Sequence, residues 1–223
     1  MPIYSEGRLL PAASRADRNV ANASKGHCTA FTILGEHSGT RTQAESHLEL
    51  CHLKLQNARP DVVDIREQVR FVYGRNNDRS HIFDMVVVKE CGNRVAYTVK
   101  PLGRLASGRF IDEMQVISWW VEHKGFASIV RLLTDADIDM SELHNANCNI
   151  VLRDQDPIAE RAARHAVSKV CGTISLRDLT QEIGLGARGY RALRRLIAKQ
   201  EIRPTACGPI THVTQVERIG GLL

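Results

Sequence analysis

The sequence predicts an α/β layered core followed by a winged helix-turn-helix. Three observations predict it. Residues 81–89, HIFDMVVVK, and 94–100, RVAYTVK, read as a hairpin turning at Gly92-Asn93. Helical patterns flank that hairpin, over 42–57 and 109–124. Residues 156–223 read as three helices and then a segment that alternates around Gly208-Pro209.

Residues 1–40 are rich in Ser, Ala, Arg and Gly without sustained periodicity, and read as a partly ordered arm. Over 42–57, Ala44, Leu48, Cys51 and Leu55 recur on one helical face, and Glu49 lies next to that face. Pro60 ends this helix. Residues 61–73 alternate as a strand, and the polar run Arg75–Arg79 turns it into the hairpin. After Pro101, Phe110, Met114, Ile117 and Val121 mark the buried stripe of a helix that Gly125 ends. Residues 126–133 read as a buried strand, closed by Thr134–Asp137. Domains are therefore expected at 41–154 and 155–223, after the 1–40 arm.

In the second of these, Pro157 opens a helix that runs to about Val170. Ser175-Leu-Arg-Asp178 has the form of a capping box and starts a short helix to Ile183. Gly184-Leu-Gly186 turns into a helix over 187–200. Residues 201–215 then alternate as a wing.

The chain has 223 residues, 43% of them hydrophobic, enough to bury a core. No apolar run approaches a membrane span, and the first residues lack a signal-peptide core, so the expectation is a cytoplasmic protein with no membrane partner. Six cysteines are scattered without a CxxC pair, as expected of reduced thiols. His47, Cys51 and His52 cluster, but not at the paired-ligand spacing of structural zinc. The net charge is +5. Residues 155–223 hold eleven Lys/Arg against six Asp/Glu, while residues 1–154 balance at nineteen of each. A local excess of this kind suggests an acidic partner such as DNA.

Four polar positions carry the chemistry: Glu49 on a helix, Asp84 beside an apolar strand, and Thr98-x-Lys100 at the end of the next strand. This is the layout of a metal-dependent nuclease. Carboxylates hold divalent cations against a phosphate, and a lysine sits beside the attacking water. Taken singly, each has a plainer reading. Asp84 also suits a strand-end cap, Lys100 a lysine reaching from a sheet edge to solvent, and Glu49 a solvated helix position. Arg188, Arg191, Arg194, Arg195 and Lys199 fall within twelve residues without an acid among them. They suit either DNA phosphates and base edges or an acidic protein.

The words around these positions resemble the TnsA family, the endonuclease subunits of heteromeric transposases. Those words are Ser46-His-Leu-Glu-Leu50, Val63-Asp-Ile-Arg-Glu-Gln68, Phe83-Asp84 before an apolar strand, Val99-Lys-Pro101, and Trp119-Trp120 followed by Leu133-Thr-Asp-Ala-Asp137. With the C-terminal winged helix, the likeness spans roughly residues 40–215.

The resemblance implies a restriction-endonuclease-like core with a second, helical domain. It implies metal-binding acids at Glu49 and Asp84, a catalytic lysine at Lys100, and Mg²⁺ as cofactor with Mn²⁺ substituting. Thr98 departs from the acid or amide usual two residues before the lysine, and would help place a water. The implied activity is hydrolysis of the 5′ ends of a transposable element, on the non-transferred strand. The implied partners are transposon-end DNA, a DDE-type TnsB-like transposase and an AAA+ TnsC-like ATPase. Two rivals remain on the residues alone: a catalytically weakened DNA-binding or assembly protein of the same fold, and a stand-alone restriction or repair nuclease.

Overall fold

The computed structural model describes residues 3–5, 8–20 and 28–219 and shows a mixed α/β protein. It divides into two compact units, Met1–Asp139 and Met140–Leu223.

In the first unit, β1 (Ile3–Ser5) pairs antiparallel with β2 (Arg8–Leu10). A hairpin of β3 (Ala30–Leu34) and β4 (Thr40–Ala44) follows. The expected 1–40 arm is thus partly strand. Its strands are three to five residues long, too short to show a period. Residues 1, 2, 6, 7 and 21–27 of that arm lie outside the described residues. Thr42–Ala44 belong to β4, which corrects the helix expected from residue 42. Helix α1 spans His47–Asn57, because Ser46 caps it by accepting the Glu49 amide at 3.1 Å.

The four-stranded sheet is β5 (Val62–Tyr73), β6 (Arg79–Lys89), β7 (Arg94–Val99) and β8 (Ile129–Leu133), in that spatial order. The first two pairings are antiparallel and the last is parallel. Helix α2 (Arg109–His123) makes the crossover that a parallel pairing requires. It packs Met114, Ile117 and Val121 against Val69, Phe71, Phe83, Val86 and Ala96. Strand β7 is buried from Val95 to Val99, so both of its faces are covered. Gly92, φ +83, makes the hairpin turn expected there.

The sheet is irregular at one level. Strands β5 and β6 pair Glu67 with Met85 and Val69 with Phe83, and between them Gln68 adopts φ +50. Strict alternation would put Phe83 and Val86 on opposite faces, yet both join the α2-facing core. At the same level β7 leaves β6: that pairing ends at Met85–Tyr97, while β7 stays with β8 as far as Val99–Leu133.

The second unit begins at residue 140, not 155. Helix α3 (Met140–Ile150) belongs to it because Asn145 bonds the Gly208 carbonyl at 3.0 Å and the Ile210 amide at 2.8 Å. Helices α4 (Pro157–Ser168), α5 (Leu176–Ile183) and α6 (Ala187–Ala198) enclose a core of Ala159, Ala163, Leu176, Leu179, Leu193 and Leu196. Ser175 caps α5 as its motif predicts, accepting the Asp178 amide at 3.1 Å. Residues 201–215 hold less strand than their alternation suggests. Strands β9 (Thr173–Ser175), β10 (Ile202–Pro204) and β11 (Gln215–Arg218) form an antiparallel sheet with β11 in the middle. Residues 220–223 lie outside the described residues.

Phe83 is fully buried, against Phe71, Phe126 and His81. Phe83→Ala is expected to destabilise the first unit by about 3–5 kcal/mol, from lost burial plus the cavity, as read from the urea midpoint.

Candidate functional site

Three of the four expected site residues gather where β6 and β7 part. Asp84 sits in the fork, and its carboxylate accepts the Val99 amide at 2.7 Å. That N–H has left the β6 ladder and would otherwise be an unsatisfied buried donor. Glu49 comes from the first turn of α1. Its Oε1 accepts the Ser46 hydroxyl at 2.9 Å, and its Oε2 accepts the Glu45 amide at 2.9 Å and the Gln68 side-chain amide at 3.3 Å. Both carboxylates are only 8% exposed. Glu49 is thus held at the helix start by the residue that caps it: its amide donates to the Ser46 hydroxyl, and its carboxylate accepts that hydroxyl and the preceding Glu45 amide.

Lys100 follows β7, with its ammonium over the Phe110 ring at 5.6 Å from the centroid. Its charge is felt by Glu49, Asp84 and His81 alike. Burial, together with the nearby charge of Glu49, pushes the Asp84 carboxyl up from its ordinary 3.8 to about 7. The Val99 amide and Lys100 oppose that rise. Glu49 is also raised, mainly by burial, against the Glu45 amide and the Ser46 hydroxyl. Two buried carboxylates that repel each other suit a hard divalent cation, which would neutralise both. Among the described residues no group of three His, Cys, Asp or Glu converges as a metal site. The carboxylate donors would be these two, a number Mg²⁺ commonly accepts.

Thr98 is buried, and its hydroxyl bonds His81 Nε2 at 3.1 Å. Burial and the Lys100 charge hold His81 down to about 4, so its imidazole is neutral at physiological pH. Sequence reasoning missed His81, since alternation from Asp84 puts it on the other face. It also missed Gln68, which is fully buried, and Arg18, whose Nε donates to Gln68 Oε1 at 2.9 Å. A buried Glu67-Gln68 pair inside a strand was a readable signal. For Arg18, in an aperiodic arm, there was none.

The basic helix is corrected at Arg194 and Arg195, while Arg188, Arg191 and Lys199 stay exposed. Arg194 and Arg195 are 3% and 5% exposed and point into the second unit. Arg194 bonds the Ile210 carbonyl and Asn149, and Arg195 bonds Glu160 at 2.8 Å and the Asp154 carbonyl. Lys199 also reaches Glu160, at 3.0 Å, Arg188 pairs with Asp156 at 2.7 Å, and Arg191 bonds the Val151 carbonyl. All five expected DNA- or partner-binding residues have intramolecular partners. The acids that hold Arg188, Arg195 and Lys199 come from α4 and its cap, more than thirty residues upstream, so no local window shows them.

The zinc cluster does not form either. His52 turns away to the Thr134 carbonyl at 2.8 Å, leaving only a His47–Cys51 contact. All six cysteines are free thiols. No helix among the described residues is long and apolar enough to cross a membrane.

Two outcomes follow from this electrostatics. Ionising Asp84 in the fold is penalised from the ordinary carboxylate range up to about pH 7, and fully above it. With EDTA at pH 8, Asp84→Asn is expected to raise Tm by several degrees, and the gain should shrink as pH falls through about 7 and vanish only below the ordinary carboxyl value of 3.8, where Asp84 is protonated in the unfolded chain as well. Differential scanning fluorimetry across that range checks it. Glu160→Ala leaves Arg195 buried without its acid, and is expected to destabilise the second unit by about 3–5 kcal/mol in urea unfolding. No protein-family model and no curated protein matches the chain.

Proposed function

We propose that this chain is a magnesium-dependent DNA endonuclease of TnsA type, cutting the 5′ ends of a transposable element on the non-transferred strand. The observation that carries the reading is the pair of buried carboxylates, Glu49 and Asp84, under the charge of Lys100. An order of helix, three antiparallel strands, crossover helix and parallel strand fits a restriction-endonuclease-like core. Three helices with a three-stranded sheet fit a winged helix-turn-helix.

In this reading Glu49 and Asp84 hold the cation, which would offset charge on the pentavalent phosphorus and lower the pKa of the attacking water. The chain's own residues do the rest. Ser46, the Glu45 amide and Gln68 fix the Glu49 carboxylate, and the Val99 amide fixes Asp84. The Lys100 ammonium, resting on Phe110, donates to the attacking water or a non-bridging phosphate oxygen. The partners would be a TnsB-like DDE transposase for the 3′ ends and a TnsC-like AAA+ ATPase for regulation.

One observation favours a second reading, a non-catalytic assembly protein of the same fold. The Thr98 hydroxyl is engaged by His81 and is not a carboxylate. Nicking of transposon-end DNA with Mg²⁺ or Mn²⁺, with and without the partner transposase, separates the two. Partner-dependent cutting at 5′ ends is expected. Asp84→Ala and Lys100→Ala should each lower it at least about 100-fold, the scale of losing one charge-stabilising group. Undiminished cutting by Asp84→Ala overturns the site assignment, and intact DNA or transposase binding without any cutting selects the assembly protein.

A further inference from the structure

The segment Ala12–Val20 runs alongside β5, the edge strand of the four-stranded sheet. It is tied there at several points. Ser14 bonds Glu67, Arg15 pairs with Asp64, and Asp17 accepts from Arg66 and from the Arg70 amide at 2.8 Å. The Asp17 amide donates to the Gln68 carbonyl at 3.1 Å. Gln43 clasps the segment at its end, donating to the Arg18 carbonyl at 2.8 Å and accepting the Val20 amide at 3.3 Å. Sheet edges are often covered in this way, but here the cover reaches the carboxylates.

We propose that Arg18 is a positioning residue for Glu49, acting through Gln68; the proposal rests on the reading of Glu49 as a cation-holding carboxylate. A glutamine amide has an acceptor end and a donor end, and can present either to Glu49. A guanidinium only donates. Arg18 Nε–H takes Gln68 Oε1 at 2.9 Å, which leaves Nε2 to donate to Glu49 Oε2 at 3.3 Å. Arg18 is itself fixed by its second prong, Nη2 to Glu45 Oε2 at 2.6 Å. Glu45 returns to the same carboxylate, its backbone amide donating to Glu49 Oε2 at 2.9 Å. The guanidinium thus braces both donors to Glu49 Oε2. Gln68 is fully buried at φ +50, a conformation a side chain rarely adopts without tertiary support. This backbone turn interrupts the strand at the level of Asp84 and delivers the amide to the site. Outer hydrogen bonds of this kind orient ligands and tune cation affinity.

The arm's other ties do not involve the Arg18 side chain, so its loss should leave the arm docked and the fold intact. The test is Mn²⁺ titration of the full chain, with free Mn²⁺ read by electron paramagnetic resonance and the fold checked by circular dichroism. Wild type should bind, and Asp84→Asn should not. Arg18→Met and Gln68→Met should each weaken binding about 10-fold or more, the usual effect of losing an outer-shell partner. The double variant should be no worse than either single variant, because one relay is cut twice. Wild-type affinity in the single variants, or additive losses in the double, overturns the relay while leaving the cation site standing. Failure of wild type itself to bind Mn²⁺ overturns both. If Arg18→Met does not fold, Gln68→Met alone decides between unchanged and weakened binding.

Discussion

The bond from the Val99 amide to the Asp84 carboxylate holds the first unit together at its most awkward point. Strand β7 must serve two partners, β6 at its start and β8 to its end. Where it leaves β6, a backbone donor is freed inside the protein. A carboxylate in the fork satisfies it and keeps the fork open. Everything proposed for the site depends on that opening, since it lets Glu49 and Lys100 approach Asp84 from α1 and from the end of β7. The same carboxylate thus has a structural duty and a strained charge. Burial beside Glu49 is tolerable because Val99 and Lys100 offset part of the penalty.

The fork of the first unit and the helices of the second use charge in different ways. Near the fork, like charges are held together, with Glu45 and Glu49 both raising Asp84. In the second unit, opposite charges are consumed. Glu160 takes Arg195, Lys199 and Arg164, so α4 and α6 are joined through one acid. The positive excess of residues 155–223 is real in the composition. Within its densest stretch, Arg194 and Arg195 serve as internal fastening.

Much of this was legible in the sequence because it is local. The hairpin of β6 and β7, the α2 stripe and the Ser175 cap each follow from short, contiguous patterns. Ser46-x-x-Glu49 even encodes the cap that helps fix Glu49. What escaped is what depends on distant chain. The hairpin of β3 and β4 is too short to show alternation. His81 was hidden because a left-handed residue, Gln68, breaks the period that strand reading assumes. Arg18 meets its partner fifty residues away. Arg194 and Arg195 looked like a surface because their acceptors lie on α3, α4 and the loops beside them. Asn145, whose bonds draw α3 into the second unit, reads as an ordinary polar helix residue.

The small sheet of the second unit has its own logic of assembly. Its middle strand, β11, is the last in chain order, while its outer strands β9 and β10 come some 40 and 13 residues earlier. During synthesis the three helices can emerge and collapse before residues 215–218 leave the ribosome. Until then, β9 and β10 each present an unpaired edge, the template on which strands of other chains add. This unit closes like a drawstring bag, with β11 covering one edge of each neighbour in a single pairing event.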